Sequence, residues 1–186
     1  MPDRYVKQVL NGDKEAFRHI IQSCKDGAYN LAYSILKEEH ASKDAVQKAF
    51  IKAYQQLTAF RGESAFKTWL HRIVVNEALQ MNRSRKSAEL YGGDFDDKLK
   101  AVPADAHEKA ERNHLLFCVD SALNRLKPDE SLSLKLFYLE EHTIDEVAEI
   151  TGWSVSKTKV TLHRARKSIK ELLHKMDHLN LEIDDV

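Results

Sequence analysis

The strongest constraint on the fold of this chain is an apolar stripe with helical spacing between Ser42 and Leu57. Its members recur at intervals of one, three and four: Ala45, Val46, Ala49, Phe50, Ala53, Tyr54 and Leu57. Because side chains three and four positions apart share one face of a helix, the stripe predicts an amphipathic helix that packs on a core. Ser42 is its candidate N-cap, and Asp44 lies where the helix dipole favours a carboxylate.

Similar periodicity covers most of the remaining sequence. Asp13 is placed to cap a helix that begins with Ala16 and Phe17, and we expect Gly27 to kink or split that helix. Ser64 is placed to cap another helix, whose inward side begins at Phe66. With only 6 Gly and 3 Pro, the chain has few of the turns that a β-sheet protein needs. The predicted fold class is all-α.

One segment lacks sustained periodicity and separates two small helical domains. Residues 87–106 contain Gly92-Gly93, several aspartates and Pro103, a composition typical of a flexible acidic linker. The predicted domains are therefore residues 1–86 and 107–186.

The formal net charge is zero, but the charges are segregated along the chain. Residues 61–86 and 157–175 are strongly basic, whereas the predicted linker and the C-terminus are acidic. Cys24 and Cys118 are too few for a disulfide framework and suit a reducing compartment. Because no apolar run reaches the ~20 residues of a membrane span, we expect a cytoplasmic protein without membrane insertion.

The C-terminal half contains the pattern of a helix-turn-helix. Thr143 and Glu146 fit a capping box, and Gly152 suits the left-handed residue that ends a helix. Ser154 is placed to cap the second helix, and we expect Val155 and Leu162 to return that helix to the core.

The outward side of this second helix combines cations with short polar groups. Its residues, predicted to contact duplex DNA, are Ser156, Lys157, Lys159, Val160, Thr161, His163, Arg164 and Arg166. Cations bind phosphates and release counterions, while short side chains reach base edges in the major groove. The alternative is a solvated amphipathic hairpin with ordinary surface lysines.

Signals of catalysis are weak in this sequence. It contains no phosphate-binding glycine loop, no nucleophile elbow and no paired metal motif. His114 and Cys118 are four residues apart, with His107 upstream, but a cysteine beside Leu115 is more often a buried apolar residue. We expect a protein that is not an enzyme and has no cofactor and no metal site.

Two blocks of residues resemble the extracytoplasmic-function (ECF) class of bacterial RNA polymerase sigma factors. In the first half these are Gly12-Asp13, Asp44 to Phe50, Phe60 to Ile73, and Asn76. In the second half they are Leu126-Lys127-Pro128, Glu146-Val147-Ala148 and Leu162 to Arg166. The resemblance implies a region 2-like helical bundle over residues 1–86 and a region 4-like helix-turn-helix domain over residues 107–186.

By this resemblance, the first domain recognises and melts the promoter minus-10 element. The implied DNA-binding residues are Phe60, Arg61, Glu63, Ser64, Lys67, His71, Arg72, Asn76 and Arg83. The loop 58–64 resembles the family's pocket for a flipped base, which needs a stacking surface and polar groups. Alternatively, Phe60 packs into the domain and Arg61-Gly62 only turns the chain.

The resemblance also implies partners. Asp44, Gln47 and Lys48 would contact the clamp of core RNA polymerase, and the second domain would contact its flap and the promoter minus-35 element. An anti-sigma factor is a further candidate partner. The resemblance therefore implies a sigma factor, with a stress or envelope-type regulon. The alternative is a stand-alone helix-turn-helix repressor or activator, which would use duplex DNA without polymerase.

Overall fold

The computed structural model describes residues 2–90 and 110–181, with side chains described for residues 4–87 and 118–175. The α-helices are α1 (Pro2–Leu10), α2 (Ala16–Leu36), α3 (Glu39–Gln55), α4 (Phe66–Leu90), α5 (Ala110–Arg125), α6 (Pro128–Leu134), α7 (Ile144–Thr151) and α8 (Val155–Leu181). A 3-10 turn covers Leu57–Ala59, and a π-helical turn covers Lys135–Leu139. Within these ranges the chain contains helices and no strand, which confirms the predicted all-α class.

Helices α1 to α4 form the first domain around one core. α2, α3 and α4 pack on one another, and α1 packs on α2. On α3 the stripe faces inward as predicted at Ala45, Ala49 and Ala53, and Ala41, four residues before the stripe, is also buried. Small side chains let the helices approach closely. Ile20, Leu31, Phe66 and Leu70 fill the adjoining core, where removing a leucine side chain costs about 2–5 kcal/mol.

Three local predictions in the first domain were wrong. The N-cap of α3 is Glu38, whose carboxylate accepts from the backbone N–H groups of His40 and Ala41, while Ser42 lies inside the helix and bonds to the Glu38 carbonyl. Tyr54 is exposed because it lies at the edge of the stripe. α2 continues through Gly27 without a break. The glycine does not bend the helix; it leaves room for the side chain of Glu140, which approaches it closely.

Helices α5 to α8 form the second domain. α8 packs against α5, α6 and α7, and its core includes Leu123, Leu126, Leu134, Leu162 and Ala165. Pro128 opens α6 as predicted, followed by Asp129 and Glu130 in the first turn. α4 extends to Leu90, four residues beyond the boundary suggested by composition, whereas residues 91–106 of the predicted linker lie outside the described residues.

The two domains are packed together. α2 contacts α6, and α4 contacts α7. Leu132, Leu136, Val147 and Ile150 of the second domain belong to the same buried cluster as the core of the first domain. The contact is therefore an apolar interface as well as a polar one.

Candidate nucleic-acid interface

The helix-turn-helix of α7 and α8 is fixed by its own capping groups. The Glu146 N–H donates to Thr143 Oγ1 at 3.3 Å, and the Thr143 N–H donates to Glu146 Oε2 at 2.9 Å. Gly152 ends α7 with φ 71°, a left-handed conformation that glycine adopts without a Cβ penalty. The Lys157 N–H donates to Ser154 Oγ at 3.2 Å. Each of these predicted features is confirmed.

α8 is held by one face and presents the other to solvent. Leu162, Ala165 and Thr158 are buried against the domain. Val155 is 39% exposed, so the prediction that it returns α8 to the core was wrong; it lies at the very start of the helix. The exposed predicted residues are Ser156, Lys157, Lys159, Val160, His163, Arg164 and Arg166, and Thr161 is half-buried.

Two of these cations, Lys157 and Arg166, contact neighbouring side chains. The Lys157 ammonium lies 4.4 Å from the centre of the Trp153 ring and 3.6 Å from Asp129 Oδ2. Arg166 Nε donates to the Tyr138 hydroxyl at 2.8 Å. Neither aromatic residue is among those predicted from the sequence. The four-residue spacing of Trp153 and Lys157 was a usable signal, whereas no local pattern connects Tyr138 with Arg166.

The loop after α3 forms an open cleft together with α1. The cleft has a volume of about 280 Å³, and its lining residues are Val6, Lys7, Leu10, Phe60, Arg61, Gly62 and Ser64. It is comparable with the smallest ligand sites, which begin at about 300 Å³. The loop residues were predicted from the sequence, but the wall formed by α1 was not, because no local pattern places α1 beside the loop.

Phe60 packs on the first domain and also lines the cleft. Its ring is 5.5 Å from Phe66 and 5.3 Å from Trp69, so one side packs on the first domain. It also lines the cleft and is only half-buried. Arg61 and Glu63 are exposed beside it, with 3.9 Å between their charged atoms. The cleft thus has an aromatic wall with ionic groups at its rim.

The second domain covers part of the predicted DNA-binding face of α4. His71 is 1% exposed and Lys67 is half-buried, whereas Arg72, Asn76 and Arg83 remain exposed. The structure therefore does not present the whole predicted set to solvent at once. His71 in particular is inaccessible to DNA in this arrangement.

Acidic groups of the second domain engage this covered face. Lys67 Nζ lies 2.9 Å from Glu140 Oε2 and donates to the Glu140 carbonyl at 3.1 Å. Thr68 Oγ1 donates to Glu146 Oε1 at 2.9 Å. Arg72 lies 3.7 Å from Glu149 Oε1. Lys67, Thr68 and Arg72 of α4 thus each have an acidic partner in the second domain.

Between these contacts lies a buried pair of imidazoles. His71 Nδ1 and His142 Nε2 are 2.8 Å apart, so one ring donates and the other accepts. Burial, reinforced by His142 and Lys67, lowers the pKa of His71 to about 3. Burial likewise lowers the pKa of His142. Both rings are therefore neutral at neutral pH.

Two lysines lie in the same interface, nearer α2. Lys135 is 2% exposed, and its ammonium lies 3.4 Å from the Asn30 carbonyl and 3.3 Å from Asn124 Oδ1. Lys37 donates to the Asn124 carbonyl at 2.9 Å. Burial, followed by the charge of Lys135, lowers the pKa of Lys37 to about 8, and burial also lowers the pKa of Lys135.

The predicted polymerase-binding residues lie together on a different surface. Asp44, Gln47 and Lys48 are exposed on α3, opposite its buried alanines. Within the described side chains, no cluster of three or more His, Cys, Asp or Glu residues is suited to a metal ion. The side chains of His107 and His114 lie outside that range.

Comparison with known proteins accounts for both domains. A family model described as Sigma-70 region 2 matches residues 20–88, and one described as Sigma-70, region 4 matches residues 116–169. The chain is 30% identical over 178 residues to the ECF RNA polymerase sigma-E factor of Haemophilus influenzae, covering 89% of this chain and 91% of the relative. This chain belongs to the ECF class of RNA polymerase sigma factors.

A second relative supports the same assignment. The ECF RNA polymerase sigma factor SigW of Bacillus subtilis is 29% identical over 181 residues, covering 93% of this chain and 97% of the relative. As a sigma factor, the chain directs core RNA polymerase to promoter DNA for transcription initiation. Among the described residues, no helix has the length and apolar character needed to cross a membrane.

Two solved structures share the fold of this sigma factor. The sigma factor RpoE, crystallised with the anti-sigma factor NepR from Bartonella quintana, matches with TM-score 0.69 and 24% identity over 85% of this chain and 96% of that chain. CnrH, in complex with the cytosolic domain of CnrY, matches with TM-score 0.64 and 24% identity over 94% and 99%. Both likenesses support the fold of two helical domains.

Proposed function

We propose that α8 of this sigma factor reads the promoter minus-35 element from the major groove. The observation that carries the proposal is the capped helix-turn-helix, which presents exposed cations on a helix anchored by Leu162 and Ala165. Lys159 and Arg164 would bind phosphates and fix the register. Val160 is 48% exposed and would contact a thymine methyl group.

The first domain would capture the minus-10 element. The cleft lined by Phe60 and Arg61 offers a ring for stacking and a cation at its rim, which suits a base flipped from the nontemplate strand. Lys7 of α1 would add a further cation beside it. Asn76 and Arg83 continue along exposed α4, where single-stranded DNA would follow the helix.

Polymerase would bind both domains of the chain. Asp44, Gln47 and Lys48 form an exposed polar surface on α3 that suits a contact with the clamp. Residues 107–186 would bind the flap, and the acidic segment 87–106 would connect them. Because this surface on α3 is separate from the residues proposed to face DNA, polymerase and DNA would be able to bind at the same time.

The cellular role follows from the family. We propose a non-enzymatic, cytoplasmic initiation factor with a stress or envelope-type regulon, and an anti-sigma factor as its negative regulator. The structure of the sigma factor RpoE with the anti-sigma factor NepR supports an anti-sigma partner.

The test is transcription in vitro with purified core RNA polymerase and sheared genomic DNA from the source bacterium. We expect discrete start sites preceded by two shared elements. Lys159→Ala should weaken all of these starts, while Lys25→Ala, an exposed lysine on α2, should leave them unchanged. Binding to duplex DNA without polymerase, together with no new transcripts, would instead support a stand-alone regulator.

A further inference from the structure

Two cations of α8, Lys157 and Arg166, lie on opposite flanks of its outward face. They are nine residues apart, about two and a half turns of an α-helix, so their side chains leave the axis in opposite directions about 14 Å apart along it. Leu162 and Ala165 anchor α8 on its inner side, and Val160 is exposed between the two cations on the outer side. Lys157 and Arg166 therefore border the surface proposed to face the bases.

Lys157 is restricted by the aromatic ring of Trp153. Its ammonium lies 4.4 Å from the centre of the ring, a distance at which a cation is attracted to the electron-rich face. Trp153 itself is fixed in the turn between α7 and α8, where its N–H donates to the Ala148 carbonyl at 3.1 Å. The exposed ion pair between Lys157 and Asp129 adds little. The ring is therefore the main group that positions Lys157.

Arg166 is restricted by residues from outside the helix-turn-helix. Its Nε donates to the Tyr138 hydroxyl at 2.8 Å, and its guanidinium carbon lies 5.5 Å from the centre of the Tyr138 ring and 5.6 Å from that of Phe137. Both rings belong to the π-helical turn Lys135–Leu139. Because the hydrogen bond uses Nε, it leaves the N–H donors of both terminal amino groups, whose fork geometry suits two phosphate oxygens.

These contacts favour binding of a ligand more than packing of the domain. Tyr138 is 54% exposed, so burial in a core does not explain its position. Among the described side chains, the exposed cations Lys159 and Arg164 have no such ring beside them. A long side chain that is free in solution loses rotamer freedom when it binds, whereas one that is already restricted loses less. Lys157 and Arg166 are therefore preorganised for an anionic ligand.

We propose that Lys157 and Arg166 each bind one of the two phosphate backbones that border the major groove, and that Trp153 and Tyr138 are positioning residues for these contacts. The inference rests on the proposed reading of the minus-35 element by α8. The major groove is about 12 Å wide, so a helix that lies in it brings its flanks to the phosphates of both strands. Contacts on both strands fix the rotation of α8 and hence the base edges that Val160 reaches.

The first experiment tests whether Tyr138 acts through Arg166. Fluorescence anisotropy measures binding of the full chain, assembled with core RNA polymerase, to a labelled duplex that carries the minus-35 element mapped from the transcripts. Tyr138→Phe keeps the ring and removes the hydroxyl, so we expect binding to weaken about two- to tenfold. It should have no further effect in a chain that already carries Arg166→Ala. Tyr33→Phe, at a half-buried tyrosine of α2, is the matched control and should leave the affinity unchanged.

Trp153→Leu tests the other flank in the same way. It keeps an apolar side chain in the turn, and circular dichroism checks that the helices remain. We expect a similar loss of affinity, with no further effect beside Lys157→Ala. If Tyr138→Phe or Trp153→Leu has no effect, or weakens binding equally in the absence of its cation, the ring is not a positioning residue and the proposal is overturned.

The second experiment locates the two contacts on DNA. An uncharged methylphosphonate, placed at successive positions of either strand, weakens binding wherever the protein contacts that phosphate. We expect Lys157→Ala to become insensitive at a position on one strand and Arg166→Ala at a position on the other. Two positions on the same strand, or unchanged sensitivity in both variants, would overturn the proposal. Failure of the proposed function would appear separately, because the wild type would then bind the minus-35 duplex no more tightly than a scrambled duplex.

Discussion

The Nδ1 atom of His71 lies 2.8 Å from Nε2 of His142 across the contact between the two domains. On the far sides of the rings, His71 Nε2 is 3.7 Å from Glu140 Oε2, and His142 Nδ1 is 3.8 Å from Glu146 Oε1. Lys67 contributes a positive charge from α4. From α2, Cys24 faces the same region as a neutral thiol, since burial raises its pKa.

This pair of histidines makes the docking of the two domains on each other, called closure below, dependent on pH. The ordinary histidine pKa is 6.5, and that of His71 in the closed form is about 3. The separated domains therefore bind more protons than the closed form below pH 6.5. As far as His71 is concerned, closure is unaffected by protons above that pH and weakens as the pH falls, by up to about 1.4 kcal/mol per pH unit. The radius of gyration should rise between pH 7.5 and pH 5.

The matched variant for this prediction is His71→Leu/His142→Leu, which removes both titrating rings. Its dimensions should respond less to pH than those of the wild type. Equal responses in the two proteins would show that other groups control closure.

The capping box of α7 should contribute measurably to stability. Thr143→Ala removes the oxygen that accepts the Glu146 N–H. Loss of such an N-cap costs about 1 kcal/mol of unfolding free energy. Urea denaturation followed by circular dichroism measures this change. Thr58→Ala, at an exposed threonine of the first domain, should change stability little, and an equal loss there would argue against a specific role for the cap.

Lys159 should bind a phosphate and not a base. Lys159→Ala is then expected to weaken binding to cognate and unrelated duplex DNA by similar factors. It should also reduce the slope of log K against log salt by about one. Fluorescence anisotropy over a salt series measures both quantities. A loss confined to the cognate duplex would instead assign Lys159 to base recognition.

Phe60 should stack on a captured base while it packs on Trp69. Phe60→Leu keeps apolar bulk against Phe66 and Trp69 but removes the stacking ring. Since stacking contributes about 1–3 kcal/mol per base, we expect roughly a 5-fold to 150-fold loss of affinity for single-stranded minus-10 DNA. The thermal unfolding midpoint should fall only slightly. Unchanged DNA affinity would mean that Phe60 serves only the core.

Local patterns in the sequence were sufficient for the helix-turn-helix. Thr143, Glu146, Gly152 and Ser154 act within one or two turns of their partners, so capping chemistry predicts them without knowledge of the fold. Similar reasoning failed for Ser42, because Glu38 offers an earlier and better cap. It also failed for Val155, because this residue lies at the very start of α8, where helical spacing alone does not ensure burial.

The accessibility of the predicted DNA-binding residues required the tertiary structure. His71 fits the outward pattern of α4 in sequence, yet it is buried by His142, which lies 71 positions away. Lys67 and Thr68 meet Glu140 and Glu146 at separations of 73 and 78 positions. Contacts at such separations depend on how two folded domains dock, and no periodicity of one helix encodes them.

The sequence by itself determined the all-α class and the helix-turn-helix, because helical spacing, caps and turn glycines act between near neighbours; the family followed from the resemblance of its motifs. Only the tertiary structure decided that Gly27 makes room for Glu140, that α1 completes the cleft at Phe60, and that the second domain covers part of α4. The reason is that docking depends on the balance between buried apolar surface and the cost of burying groups such as Lys135, and that balance exists only once both surfaces have formed.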